Sequence, residues 1–260
     1  MRITILLLLF SILAYGQNQD DIQLANEYLL KGDKKKALEL YKELAKQEIN
    51  HPYIYNNYFN LLLDLSAYDD AQKFLQRLSK RDPLNIQYNL DLGLILVRSG
   101  ELSKAERYYK DLISQNKSNV QRIKMMSDFF MSRSLVDYGI QALTESRETL
   151  GNPFLFCLEL AMLHRIKGNQ DKMVQEYLNY VTQSSANIQY VKNVMQALLT
   201  KPDELESLEK LLYDCNTINE VNGQLELDDC AGNLEKWKLK KQIVLALSEH
   251  LNKKILERLF

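Results

Sequence analysis

A period of 34 residues runs through the chain: Gly32, Ser66, Gly100, Ser134, Gly168 and Pro202 fall one period apart, as do Ala37, Ala71, Ala105, Gly139, Met173 and Ser207. A unit of that length holds two helices and a tight turn, and it cannot bury its apolar face alone. Stacking such units does bury it. The period therefore predicts an all-α helical solenoid rather than a closed globule. Six units are expected, starting near residues 18, 52, 86, 120, 154 and 188, with the array spanning 17–215.

Glycine and proline usage agrees with this lattice. Gly32, Gly93, Gly100, Gly139 and Gly168 all sit on it, at positions where two helices must approach closely or the chain must turn. Pro52, Pro83 and Pro153 fall at the joints between units, where one helix has to stop before the next begins. Pro202 falls in the turn of the sixth unit.

The side chains inside each unit resemble the tetratricopeptide repeat (TPR). In the first unit Leu24, Ala25, Tyr28, Gly32, Ala37 and Tyr41 occupy the family's leucine, small, aromatic, glycine, alanine and aromatic sites. The third unit repeats this with Leu92, Gly93, Gly100, Ala105 and Tyr109, and the fifth with Leu160, Ala161, Gly168 and Tyr177. The fourth unit keeps Ser127, Ser134 and Gly139 but has Phe130 and Leu143 as its large residues. The resemblance implies a right-handed superhelical solenoid of about six TPR-like helix hairpins. At the level of whole proteins the chain is similar to exported TPR proteins of Gram-negative bacterial envelopes.

In that family the first helix of each unit lines a concave surface. Carried over in phase, the surface would expose Gln19, Ile22 and Asn26, then Tyr53, Asn56, Asn57 and Asn60, then Gln87, Leu90 and Leu94. It continues with Gln121, Lys124 and Asp128, then Leu155, Leu158, Met162 and Arg165. Amide side chains both donate and accept hydrogen bonds along an extended peptide, and the Leu, Met and Tyr between them offer apolar pockets. The same residues could instead be solvated or touch a neighbouring helix. Some family members grip a partner's C-terminal carboxylate with lysine, asparagine and arginine on three successive first helices. Here Asn26 and Asn57 match the asparagine sites, but Ile22, Gln87 and Asp91 stand where the cations belong. Without those charges, binding of a chaperone tail is not expected.

At the N-terminus, Arg2 precedes an apolar run from Ile3 to Leu13 followed by Ala14-Tyr15-Gly16, which reads as a secretory signal peptide over 1–16. The run is shorter than the roughly 20 residues of a spanning helix, so no transmembrane span is expected in the mature chain. After Cys215 the period breaks. Residues 216–232 read as an irregular linker, and Leu234, Trp237, Val244, Leu247, Leu251, Ile255 and Leu259 recur at helical spacing over 233–260. That segment is either a cap for the end of the array or a partner-binding helix. Cys215 and Cys230 bracket the break and could form a disulfide or both be reduced.

Chemistry is not signalled anywhere. His51, His164 and His250 are dispersed, and no paired-histidine, CxxC, P-loop or nucleophile-elbow pattern occurs. His164 takes the aromatic lattice position of its unit and reads as a packing residue. Lys and Arg total 33 against 34 Asp and Glu, so there is no basic excess to bind nucleic acid. The expectation is a non-enzymatic scaffold of the cell envelope without metal or cofactor, holding a protein or peptide partner on its concave face. Two alternatives remain at this point. One is a structural module of a larger envelope assembly that uses its convex face or its tail. The other is an accessory subunit of an enzyme or transport complex that contacts glycan or peptidoglycan.

Overall fold

In the computed structural model the described residues are 19–198. They contain eleven α-helices and, among the described residues, no strand. In order these are α1 (residues 19–30), α2 (Lys34–Leu44), α3 (His51–Asp64), α4 (Tyr68–Arg81), α5 (Ile86–Arg98) and α6 (Leu102–Asn116). There follow α7 (Val120–Ser132), α8 (Val136–Thr149), α9 (Cys157–Ile166), α10 (Gln170–Gln183) and α11 (Ile188–Leu198). They pair as hairpins α1–α2 through α9–α10, with α11 opening a sixth. The leader at 1–16, the second helix of the sixth unit, the linker at 216–232, the helix expected over 233–260 and the Cys215–Cys230 pair lie outside the described residues.

One turn recurs inside every hairpin. Gly32, Gly100 and Gly168 have φ of 79°, 82° and 76°, and Ser66 and Ser134 hold the same left-handed conformation at 55° and 59°. The residue after each donates back across six residues: Asp33 to Tyr28, Ala67 to Leu62, Glu101 to Leu96, Leu135 to Phe130 and Asn169 to His164, at 2.8–2.9 Å. This bond satisfies carbonyls that a helix end leaves open, and it requires a positive φ just past the helix. The leading lattice of glycine and serine is thus a series of helix stops.

The second lattice lies in the core: Ala37, Ala71 and Ala105 are fully buried, and Gly139 and Met173 are buried beside other helices. Large and small residues are matched across each hairpin. Gly93 shows why, since a Cβ there would lie 2.3 Å from Cε1 of the Tyr109 ring. The ring occupies the space, and its hydroxyl donates to the Leu90 carbonyl at 2.9 Å. In the second hairpin the small position holds Phe59, and the position equivalent to Tyr109 holds Leu75, so the volume is exchanged rather than lost.

The chain divides into two compact units between Leu112 and Ile113, within α6. The first is rich in rings: Phe74 meets Tyr58 at 5.0 Å and His51 at 5.5 Å, both edge-on, and Tyr58 meets Tyr41 at 5.7 Å. Edge-to-face pairs set the positive rim of one ring on the negative face of the next. Burial pushes the Tyr58 hydroxyl up to about 12. The second unit has a core cluster of Ala161, Met173, Val174, Tyr177, Leu178, Val181 and Val191.

One joint departs from the lattice. The fifth unit's first helix begins at Cys157 rather than near 154, because Gly151 and Phe156 both take positive φ, 62° and 61°. Arg147 of α8 holds this irregular segment. Its Nε donates to the Leu155 carbonyl at 2.7 Å, and its two terminal nitrogens reach both oxygens of Glu176 at 2.7 and 2.8 Å. Gln183 adds a bond to the Phe154 carbonyl at 2.7 Å. These side chains supply the donors that a regular helical turn would have given the Leu155 and Phe154 carbonyls.

Candidate functional site

In the first unit the first helices bring their polar sides together. Tyr53, Asn56, Asn57 and Asn60 follow helical spacing along one stripe of α3 and are all exposed, Tyr53 by 62%. Asn57 reaches α1, where its Nδ2 donates to Asn26 Oδ1 at 2.7 Å. The same oxygen accepts from the Tyr41 hydroxyl of α2 at 2.6 Å. Tyr41 is fully buried. Burial pushes its hydroxyl above the ordinary tyrosine range, with a smaller opposing effect from Asn57, so it remains protonated and able to donate.

A second network ties α3 to α5. The Tyr55 hydroxyl and Gln87 Nε2 both donate to the buried Asp91 carboxylate, the latter at 3.0 Å. The Tyr55 ring meets Tyr88 edge-on at 5.3 Å. Asn85 caps the start of α5 by accepting from the Gln87 amide at 3.1 Å, which places Gln87 within reach of Asp91 one turn on.

Of the other residues carried over from the family's concave surface, Gln19 is exposed and Ile22 half-buried. Leu90 and Leu94 are corrections: they are 1% and 4% exposed and belong to the core. They lie one turn apart on α5, and the absence of a side chain at Gly93 lets Tyr109 close over this side of the helix. Burying a leucine is worth roughly 2 kcal/mol, enough to override the phase carried over from the family.

The second unit presents a different set. Gln121, Asp128, Met162 and Arg165 are exposed, and Lys124 pairs with Glu159 across α7 and α9 at 2.6 Å. The hydrogen bond to Glu159 raises the Lys124 ammonium above its ordinary range. Leu155 is a further correction: it precedes α9 instead of lying on it, and its carbonyl is taken by Arg147. Leu158 packs half-buried against the α9–α10 core. Met125 joins Met162 as an exposed thioether, each 44% exposed.

Tyr41, Tyr55 and Met125 have no place in the surface expected from the repeat pattern. The hydroxyls of Tyr41 and Tyr55 donate to Asn26 and Asp91, a role that ring spacing alone does not mark. His164 is buried as a packing residue, its Nδ1 finds no hydrogen-bond partner among the described residues, and burial lowers its pKa from 6.5. Among the described residues no helix is long and apolar enough to cross a membrane.

Residues 28–90 match the family model described as tetratricopeptide repeat. Among curated proteins the chain is similar to a TPR repeat-containing protein of Methanocaldococcus jannaschii, 22% identical over 191 residues, covering 71% of this chain. The match takes in 34% of that protein, so the chain spans about a third of its length. Among solved structures it is similar to a tetratricopeptide repeat protein from Parabacteroides merdae at 15% identity, covering 75% of this chain and 79% of that one, with a TM-score of 0.37. It is also similar to MamA from Desulfovibrio magneticus at 14% identity, covering 69% and 96%, with a TM-score of 0.36. Residues 28–90 thus carry the tetratricopeptide repeat match, and the same helix stop recurs in the hairpins beyond it.

Proposed function

We propose that the chain is a non-enzymatic protein–protein interaction scaffold that holds an extended segment of a protein partner on the first-helix face of its first unit. The observation that carries this reading is the exposed stripe Tyr53, Asn56, Asn57 and Asn60 on α3, joined to Asn26 of α1 through the 2.7 Å hydrogen bond that Asn57 donates. Such a face offers donors and acceptors to a peptide backbone and one exposed ring to a side chain. It carries no fixed cationic pair of the kind that selects a terminal carboxylate. The partner therefore binds along its chain rather than by its end.

The proposal extends to the place of action. The apolar leader at 1–16 directs the chain out of the cytoplasm into a Gram-negative envelope, where the scaffold meets its partner.

A photo-crosslinking residue placed in cells at Asn60, and separately at exposed Gln72 on α4, tests the face. One defined protein captured at Asn60 and not at Gln72 is the expected result. Capture at Gln72 alone would remove the first-helix face from consideration. N-terminal sequencing of the protein isolated from cells tests export, and an intact Met1 would overturn it.

A further inference from the structure

We infer that the joint between α8 and α9 is a two-state element: in its second state Phe156 becomes helical, and α9 gains a turn and starts at Pro153. The inference concerns the second unit and stands apart from the proposed binding face.

A helix start is already assembled ahead of α9. The Asn152 side chain accepts from the Phe154 amide at 3.1 Å, the same bond by which Asn85 caps α5 through the Gln87 amide. Pro153 follows as a first helical residue, where a missing N–H loses no bond. The Asn152 carbonyl then accepts from the Leu155 amide at 3.1 Å, a tight turn of the kind that opens many helices. This start also lies beside the position that the period assigns, since α5 and α7 begin at Ile86 and Val120. Phe156 then breaks the helix with φ of 61°, and α9 begins again at Cys157 without a side-chain cap. Ser66 and Ser134 take this conformation where helices end, whereas Phe156 takes it where one has just started. A bulky side chain in that region is strained.

The two states exchange one set of bonds for another. In the observed state the Phe154 carbonyl accepts from Gln183 Nε2 at 2.7 Å and from the Cys157 thiol at 3.1 Å, and the Leu155 carbonyl accepts from Arg147 Nε at 2.7 Å. In the second state these carbonyls accept from the Leu158 and Glu159 amides. Those amides now precede the first backbone bond of α9, from Leu160 to Phe156. Arg147 keeps its ion pair with Glu176 in both states, so the exchange strands no charge. Release of the left-handed Phe156 and the added helical turn favour the second state, while the buried place of the Phe156 ring favours the first. Local strain held by surrounding contacts in this way makes a bistable joint. The change brings Leu155 into line with Leu158 and Met162 on one side of α9, so the first-helix face of the fifth hairpin differs between the states.

The test compares Phe156→Ala with Phe156→Gly in the full chain. Both lose the ring, but glycine accepts the left-handed conformation and alanine favours the helix. Hydrogen exchange at the Leu158 and Glu159 amides, read by NMR, should be at least about tenfold slower in the alanine variant, because only the second state bonds these amides. Equal exchange at both amides, with both variants folded, overturns the two-state joint. Gln183→Ala is the second variant: it leaves the ring in place and removes an exposed donor from the Phe154 carbonyl. Exchange-saturation NMR should then show a minor state with helical Cα shifts at residues 154–156, its population raised roughly threefold over that of the wild type. Absence of that state from Gln183→Ala overturns the inference even where Phe156→Ala fails to fold.

Discussion

The two compact units handle their interior polar groups in opposite ways. In the first, tyrosine hydroxyls and amides meet at the first-helix face, where Asn26 Oδ1 accepts from both Tyr41 and Asn57. In the second, the strongest network sits at the α8–α9 joint and is closed: Arg147 directs its nitrogens to Leu155, Glu176 and Cys157. An open network of neutral groups is suited to recognition, because exchanging one hydrogen bond for another costs little. A closed ion pair is suited to holding an irregular piece of backbone, because breaking it leaves a charge with nowhere to go. The proposed binding face and the closed ion pair thereby fall in different units.

The sharpest way to break this contrast is to remove Arg147. Its side chain and that of Glu176 are 14% and 11% exposed, so the pair is largely shielded from water. Arg147→Ala or Glu176→Ala should each destabilise the protein by about 3–5 kcal/mol, read as a lower urea midpoint. The double variant Arg147→Met with Glu176→Leu should recover most of the loss, since the charges leave together. Single losses below about 1 kcal/mol would mean that water screens the pair, and the second unit would then differ from the first only in composition.

A somewhat smaller effect tests whether the first unit is as tightly packed as the second is tightly bonded. Alanine favours helix over glycine by about 1 kcal/mol, so propensity alone makes Gly93→Ala stabilising. The Tyr109 ring, 2.3 Å from the new Cβ, reverses the sign, and a net loss of about 1–3 kcal/mol is expected in thermal or urea unfolding. Adding Tyr109→Leu should restore part of it, since leucine already occupies the equivalent position at Leu75 and Leu143. A neutral Gly93→Ala would show that α5 and α6 have room to move apart.

These cases also show what could be read from the sequence. The helix stops at Gly32, Ser66, Gly100, Ser134 and Gly168 were legible because positive φ limits which residues serve there, and that limit recurs with the period. The exposure of Tyr53, Asn56, Asn57 and Asn60 on α3 agrees with the phase carried over from the family resemblance. The burial of Leu90 and Leu94 was not, because it depends on how far Tyr109 of α6 intrudes past a glycine on α5. Nor was the late start of α9, which depends on an arginine in α8 and a glutamate in α10 whose pairing the repeat pattern does not encode. The bond from the Tyr41 hydroxyl to Asn26 was hidden for a related reason: the ring packs at its lattice site with or without it.

A pH-dependent effect in the second unit is expected to be smaller still. Burial, and then Lys172, lower the His164 pKa below 6.5. The unfolded chain therefore takes up a proton near pH 6.5 while the folded chain still resists it. Stability is full above that pH and falls as the pH drops toward the folded value, by at most about 1.4 kcal/mol per pH unit. His164→Phe, which copies Phe130 one period earlier, should remove this slope when Tm is compared at pH 7.5 and 5.5. An unchanged slope would place the acid sensitivity elsewhere.

The smallest expected effect concerns what the two units share. Ser66 and Ser134 sit at φ of 55° and 59° where three sister turns use glycine. A non-glycine residue in this region is strained by about 1–2 kcal/mol. Replacing it with glycine relieves that strain but frees the unfolded chain, which offsets roughly 0.4–1 kcal/mol. Ser66→Gly also gives up a long 3.5 Å contact from the Tyr68 hydroxyl, which contributes little at that distance. Ser66→Gly and Ser134→Gly should therefore each stabilise by about 0.5 kcal/mol, measured as shifts in urea midpoint at constant slope. Equal gains would locate the difference between the units in their polar networks, because the helix stop would then be energetically the same device in both. If Ser134→Gly gained and Ser66→Gly lost, the turn itself would be specialised, and the contrast would have to be drawn at the level of single hairpins.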